Sequence, residues 1–207
     1  MRNTRFVGLC ALFALAIAAA CSDSTAPGRG TVIVQMHDAP FPTDSVEAVN
    51  IFVTRVDARV KAADSAASDS ALAEDSAAAH GWITLAEPNA VFDLLELQNG
   101  VFAVLDTMSV AAGNYTSIRL VIDPSQSNVT LKNGMVLTGT SAPNVSFPSG
   151  SSSGIKVNIS GGLTVIADDT AVVSLDFDLD QSFVMRGNSI SQLGLLFKPV
   201  VRASVSQ

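Results

Sequence analysis

Apolar residues recur at every second position through much of this chain, in short runs that are typical of β-strands. Residues 49–53 and 56–60 both show this alternation, but on opposite parity. Because neighbouring side chains of a strand point to opposite faces, a change of parity moves the apolar set to the other face. The pattern therefore predicts a bulge near Thr54-Arg55, which would return the apolar side chains to a single face.

Further strands are predicted from the remaining apolar runs. Residues 92–97 fit either a strand or one helical turn, and residues 171–179 carry the longest alternating pattern, with apolar residues at the odd positions. Asn133-Gly134 lies between two apolar runs and predicts a hairpin with a type I′ turn, in which both central residues need positive φ. About nine or ten short strands separated by turns predict an all-β fold, a single antiparallel β-sandwich of immunoglobulin-like or transthyretin-like type.

Two segments interrupt the alternation. Residues 62–80 consist mainly of Ala, Ser, Asp and Glu, and they lack the apolar periodicity that would place them in a core. We predict an exposed acidic insertion here, disordered or weakly helical. Residues 149–154 contain only Ser and Gly and predict a flexible linker between two strands.

The first 20 residues have the pattern of an export signal. Two arginines precede an apolar stretch, residues 6–19, that is shorter than the roughly 20 residues needed to span a bilayer. Residues 17–21 resemble a bacterial lipobox, although Ala18 stands where Leu is usual. We therefore predict a signal peptide over 1–20, lipidation of Cys21 with incorporation of palmitate, and a flexible tether over 21–30. The alternative is an ordinary signal peptide in which Cys21 is incidental.

The charge balance narrows the class of partner. The chain has 207 residues, with 12 basic and 19 acidic side chains and a net charge of −7. Loss of the signal peptide would remove its two arginines, which would leave 10 basic side chains and a net charge of −9. Nucleic acid needs a basic footprint and is excluded as a partner, and membrane attachment of so acidic a protein requires acyl chains. With Cys10 removed and Cys21 lipidated, the domain over 31–207 has no thiol for a disulfide, a zinc site or a nucleophile.

A set of short motifs occurs in a fixed order along the chain. These are His37-Asp38-Ala39-Pro40, the run from Val49 to Val60, Phe92-Asp93-Leu94-Leu95-Glu96-Leu97, Ala112-Gly113-Asn114-Tyr115 leading into Ile118-Arg119-Leu120, Gly154-Ile155-Lys156-Val157, Leu175-Asp176-Phe177-Asp178 and Lys198-Pro199-Val200-Val201-Arg202. From about Thr31 to Arg202 the chain resembles the bacterial and archaeal envelope proteins of domain of unknown function 4382. It departs from them in His37, where the family commonly has Thr, and in its long acidic insertion. The resemblance implies a secreted or lipid-anchored sandwich domain with no established activity and no catalytic residue.

Few residues suggest chemistry of their own. Residues 150–154 match the Gly-x-Ser-x-Gly pattern of the nucleophile elbow in α/β-hydrolases. In those enzymes the catalytic His follows the Ser in the chain, whereas His37 and His80 both precede it here, so we favour a flexible linker. His37-Asp38 admits a metal-ligand or acid–base pair, but we favour a turn that Asp38 begins by bonding backbone N–H groups. Trp82 allows stacking on a sugar, and we favour the alternative of a buried core residue.

Three aspartates, Asp176, Asp178 and Asp180, follow one another at even positions of the run 171–179 and beyond. On a strand they would share one face, about 7 Å apart, and repel one another. One hypothesis is a calcium ion bound by these carboxylates with Asp38 as a further ligand. The other, which we favour, is solvation or a cross-strand ladder with basic residues, for which Arg55 and Arg59 share one strand face. No other cofactor is predicted.

These observations predict a lipid-anchored, extracytoplasmic protein, on the outer membrane or the periplasmic face, with a non-catalytic binding or structural role. One alternative is a carbohydrate- or peptide-binding module at the cell surface, which exposed aromatic residues on one face would favour. A calcium-binding adhesion-type domain is a second. An enzyme would need a pocket in which His or carboxylate groups converge, and a chain with two His residues and no free thiol does not favour it. The sequence does not identify a protein or glycan ligand.

Overall fold

A computed structural model describes residues 28–38, 44–61, 81–148 and 153–207, which form mostly β-structure. The signal peptide, Cys21, most of the tether, the insertion 62–80 and residues 149–152 lie outside the described residues. In chain order the strands are β1 (Arg29–Asp38), β2 (Val46–Val60), β3 (Trp82–Ala86), β4 (Ala90–Asp93), β5 (Ala103–Ala111), β6 (Gly113–Ile122), β7 (Asn128–Leu131), β8 (Val136–Leu137), β9 (Val145–Ser146), β10 (Ile155–Val165), β11 (Thr170–Phe177), β12 (Phe183–Met185), β13 (Leu195–Phe197) and β14 (Val201–Ser206). A 3-10 helix (Leu94–Leu97) and two single-turn helices, α1 (Leu179–Ser182) and α2 (Ile190–Leu193), complete the described elements.

One large sheet contains eleven of these strands. Its order is β5-β1-β11-β14-β10-β6-β2-β7-β8, and β3 and β4 also pair with β2. The second sheet is small, with the order β12-β13-β9. Strands β10 and β14 share the single register pair Ile159 and Ala203, so the large sheet is joined only weakly in its middle. The sheet curls, and its two halves enclose one core, which confirms the prediction of an all-β fold.

The core follows from the alternation in the sequence. In β11 every second residue from Ala171 to Phe177 is buried, and β1 shows the same pattern from Gly30 to Asp38. Leu175 of one half and Leu120 of the other are both fully buried in the same cluster. Burying such a side chain stabilises the fold by roughly 1.5–3 kcal/mol.

The pairing of strands departs from the prediction of a purely antiparallel sandwich. Strands β1 and β11, β10 and β14, and β9 and β13 pair in parallel. Parallel strands need a long connection, and β1 and β11 are more than 100 residues apart in sequence. Strand β1 also begins at Arg29, so the last two residues assigned to the tether belong to the sheet.

The predicted bulge is confirmed, because the register of β2 against β6 shifts between Val53 and Arg55. Residues 92–97 contain both predicted alternatives, the end of β4 followed by the 3-10 helix. Asp93 forms the boundary between them, since its side chain accepts a hydrogen bond of 3.0 Å from the backbone N–H of Leu95.

The hairpin at Asn133-Gly134 is present, but the predicted type I′ turn is wrong. Strands β7 and β8 pair on either side of it, yet only Gly134 of the two residues has a positive φ, 82°. The N–H of Gly134 donates to the carbonyl of Leu131, and the Asn133 side chain accepts from the N–H of Met135. These contacts indicate a β-turn over residues 131–134 in which Gly134 has the left-handed conformation. A connection of this kind is the next most common in hairpins.

Candidate functional site

A row of polar side chains crosses the outer face of the large sheet. On one half, the register places His37 opposite Asp176 and Asp176 opposite Arg202. On the other half, Lys156 lies opposite Arg119 and Arg119 opposite Asp57. Their sequence neighbours point into the core, so these side chains point away from it. We call this set the outer row: His37, Asp176, Arg202, Lys156, Arg119 and Asp57.

The two halves of the outer row meet at a cleft between β14 and β10. The cleft has a volume of about 630 Å³ and forms where the two strands share only one register pair. Lys156 and Asn158 line it from β10, Arg202 and Ser204 line it from β14, and His37 and Asp176 reach it from the strands beyond β14. We call this depression the seam cleft.

The basic groups of the seam cleft have little internal compensation. Arg202 is 66% exposed, and its nearest carboxylate oxygen, Oδ2 of Asp178, lies 3.9 Å from Nη2. Lys156 is exposed and forms no hydrogen bond or ion pair with its side chain among the described residues. The carboxylate of Asp176 is instead close to His37, with 3.4 Å between Oδ1 and Nδ1. The cleft therefore presents two cationic groups to solvent.

An exposed aromatic ring lies beside the seam cleft. Phe102 is 47% exposed, and its ring centre is 4.9 Å from that of His37 in an edge-to-face arrangement. A ring in this position offers an apolar surface next to polar and charged groups.

Asp57 anchors the other end of the outer row. Its carboxylate is fully buried and accepts hydrogen bonds from Nε and Nη2 of Arg119 at 2.8 and 2.5 Å and from Oγ1 of Thr84 at 3.1 Å. Nε of Arg55 lies 3.0 Å from the same carboxylate. Removing a carboxylate from water is costly unless charged partners compensate it, and two guanidinium groups do so here.

Trp82 is buried, as predicted, but it lies on the outer side of the sheet. Register places it opposite Arg59, on the same face as Asp57, and the guanidinium carbon of Arg119 is 4.7 Å from its ring centre. It is absent from the contiguous core cluster. The indole thus covers an ion pair. The bulge in β2 keeps Val56 and Ala58 in the core, so that Asp57 and Arg59 face outward on the same side as Trp82.

His37 lies in a strand and not in the predicted turn, and residues 39–43, into which a turn begun by Asp38 would continue, lie outside the described residues. Both residues belong to β1, and Asp38 is only 3% exposed. Its carboxylate accepts hydrogen bonds from Nε2 of Gln98 at 3.1 Å and from the N–H of Leu179 at 3.3 Å. Burial raises the pKa of Asp38 to about 7 despite these two hydrogen bonds, and the nearby charges of Asp176 and Asp178 add to the rise.

The three aspartates of the calcium hypothesis do not share a strand face. Only Asp176 belongs to β11, whereas Asp178 caps α1 by accepting from the N–H of Gln181, and Asp180 is exposed within α1. No group of three or more His, Cys, Asp or Glu side chains suited to a metal ion occurs in the described part of the chain. The basic neighbours of Asp176 are His37 and Arg202, not Arg55 and Arg59, so the expected ladder exists with other partners.

The sequence contained a signal for the outer row that its interpretation missed. Arg119 lies between Ile118 and Leu120, and Lys156 lies between Ile155 and Val157. A charged residue between two buried ones on a strand must lie on the outer face. The sequence did not reveal which strands would be neighbours, and that decides which charges meet.

Fold and site together define an all-β domain whose polar groups converge on one outer sheet face. The sequence pattern of the family described as Domain of unknown function (DUF4382) matches residues 29–199. The chain belongs to this family, as the ordered motifs had indicated. No curated protein and no solved structure matches it. Among the described residues, no helix is long and apolar enough to cross a membrane.

Proposed function

We propose that this chain is a lipid-anchored domain of the cell envelope that binds a ligand through the seam cleft without catalysing a reaction. The observation that carries the proposal is the cleft itself, an open depression with a mixed polar and apolar lining in which Lys156 and Arg202 present cationic groups to solvent. Two basic side chains on an open surface suit the cleft to holding an anionic ligand by electrostatic attraction.

The anchor is supported by the N-terminal sequence and by where the fold begins. The predicted lipid-bearing residue, Cys21, precedes β1 at Arg29 by only a few residues. At roughly 3.5 Å per extended residue, such a tether holds the domain within about 30 Å of the lipid. We therefore expect the ligand of this domain to be a component of the cell envelope.

The anchor is tested by metabolic labelling. Cells that express the full chain are grown with labelled palmitate, and the chain should carry the label and partition into detergent. The Cys21→Ser chain should carry no label. Label on that variant would show that lipid is attached elsewhere or that the signal peptide is of the ordinary kind.

Binding is tested with the protein extracted from membranes in detergent and passed over immobilised envelope fractions of the producing bacterium. The variant Lys156→Glu/Arg202→Glu should lose retention. The matched control Lys132→Glu/Lys198→Glu changes two exposed lysines outside the outer row and should be retained like the wild type. Equal retention of both variants would contradict a role for the seam cleft.

A carbohydrate-binding module is the alternative that a specific observation favours. The exposed ring of Phe102 beside His37 supplies the aromatic surface that such modules use. This alternative keeps the proposed binding role and specifies a carbohydrate as the ligand.

A further inference from the structure

We propose that the seam cleft binds an acidic polysaccharide, with Lys156 and Arg202 holding a carboxylate of one sugar unit. This inference rests on the proposed binding function and names the chemical class of its ligand. Three features of the outer face carry it: the distribution of charge, the availability of the basic groups, and the polar groups that surround them.

The charge of the outer face is opposite to that of the chain. The outer row together with Arg55, Arg59 and Asp178 contains five basic side chains and three carboxylates, a formal charge of +2 when His37 is neutral, in a chain of net charge −7. A polyanion is repelled by the rest of such a surface and attracted to this face. The attraction acts over roughly a Debye length, about 8 Å at physiological ionic strength.

Within that face, the basic groups differ in how far they are already neutralised. Arg55 and Arg119 both contact the buried carboxylate of Asp57. Lys156 has no side-chain partner among the described residues, and Arg202 has only the distant Asp178. A ligand carboxylate in the seam cleft would be the first close partner for both, and the planar guanidinium of Arg202 can donate two parallel hydrogen bonds to it.

The other polar groups of the cleft suit the hydroxyl groups of a sugar. Asn158 and Ser204 offer amide and hydroxyl groups, and the carboxylate of Asp176 accepts hydrogen bonds from sugar hydroxyls. Phe102 gives a sugar ring an apolar surface at the side of the cleft. Because the cleft is open to solvent, an internal sugar unit of a polymer can reach it.

The proposal is tested by titration calorimetry of the detergent-solubilised protein. The ligands are oligogalacturonate and oligomannuronate, which carry one carboxylate per sugar, their fully methyl-esterified forms, and inorganic phosphate. At least one carboxylated oligomer should bind, and esterification should weaken binding by about tenfold or more, since it removes charge-assisted hydrogen bonds. Affinity should also fall as salt is added.

Variants locate the site. Lys156→Gln/Arg202→Gln should lose about tenfold or more in affinity for the carboxylated oligomer, and Lys132→Gln/Lys198→Gln should bind like the wild type. Melting curves check that each variant is folded, and Lys156→Gln alone replaces the double variant if that one does not fold.

Each remaining outcome overturns a defined part of the account. Equal binding of the esterified oligomer would reject the anionic ligand while leaving a binding function intact. Displacement of the oligomer by millimolar phosphate would show a simple anion site and reject the polysaccharide. Absence of binding by both carboxylated oligomers, with retention on envelope fractions preserved, would reject the ligand class. If the wild-type protein binds neither oligomer and is also not retained on envelope fractions, the proposed function itself is rejected.

Discussion

Arg119 of β6 binds the carboxylate of Asp57 of β2 through two nitrogens, and this carboxylate is completely buried although it lies on the outer face of the sheet. The pair sits under the indole of Trp82 and joins two central strands of one half of the large sheet. Because water is excluded from the carboxylate, the guanidinium groups of Arg119 and Arg55 and the hydroxyl of Thr84 compensate its charge.

The first prediction concerns the stability that depends on Asp57. The Asp57→Asn chain loses the negative charge between two guanidinium groups, and breaking a buried pair from one side costs about 3–5 kcal/mol. Urea unfolding should show a decrease of this order in the free energy of unfolding. Glu47→Gln, an exposed change on the same strand, is the control and should alter stability by less than about 0.5 kcal/mol. Similar small effects of both changes would contradict the compensating role of the network.

The second prediction is a pH dependence caused by Asp38. Its pKa is raised from an ordinary 3.8 to about 7, so the folded protein holds this proton more tightly than the unfolded chain does. The resulting stability is fully present below about pH 4 and is lost as pH rises through about 7. At about 1.4 kcal/mol per pKa unit, the loss amounts to as much as about 4 kcal/mol.

Urea unfolding of the wild type and of Asp38→Asn between pH 4 and pH 8 measures this term. The nearby ionisable residues His37, Asp176, Asp178 and Arg202 are present in both proteins, so the difference between the two curves reports on Asp38. The wild type should lose stability relative to the variant as pH rises. A constant difference would show that Asp38 has an ordinary pKa.

How far the sequence predicts this fold is clear from the strand that contains Asp176. Alternation correctly placed the buried residues from Ala171 to Phe177. It failed at Asp178, because Leu179 is also buried and continues the period, although it is the first residue of α1. A pattern of burial does not show whether the last apolar residue of a run belongs to the strand or to the turn that follows.

The pairing of Asp176 with His37 shows why the site was harder to predict than the strands. The local pattern placed Asp176 on a strand face and His37 just after a strand. The two strands are joined by parallel pairing between distant parts of the sequence. The entropic cost of closing so long a loop varies slowly with its length, so the sequence separation of two strands does not show whether they pair. The same holds for Arg202, whose proximity to Asp176 depends on β14 being the next strand.

The third prediction concerns the acidic insertion, residues 62–80. The residues that flank it lie together at one end of the β2–β3 hairpin, where the N–H of Val60 donates to the carbonyl of Gly81 at 3.0 Å. Replacing residues 62–80 by Asn-Gly should therefore leave the hairpin closed and change the melting temperature by only a few degrees, because the cost of loop closure varies slowly with length. A melting temperature lowered by many degrees would show that the insertion packs on the domain.

The fourth prediction concerns calcium. Asp176, Asp178 and Asp180 are divided between a strand, a helix cap and a helix surface, and Asp38 holds its proton up to about pH 7. Calorimetric titration of the metal-stripped protein at pH 7 should show no saturable heat at millimolar calcium. Saturable heat that disappears in Asp176→Asn/Asp178→Asn would restore the calcium hypothesis.

The central claim, that the seam cleft holds an envelope ligand, is tested most directly inside the cell. A photoreactive amino acid is placed at Ser204 in the cleft or at Lys132 in the exposed β7–β8 turn, and living cells are irradiated. We expect a crosslinked species from Ser204 that periodate oxidation of sugars removes, and none from Lys132. Crosslinks of equal yield at both positions, or none at Ser204, would contradict it.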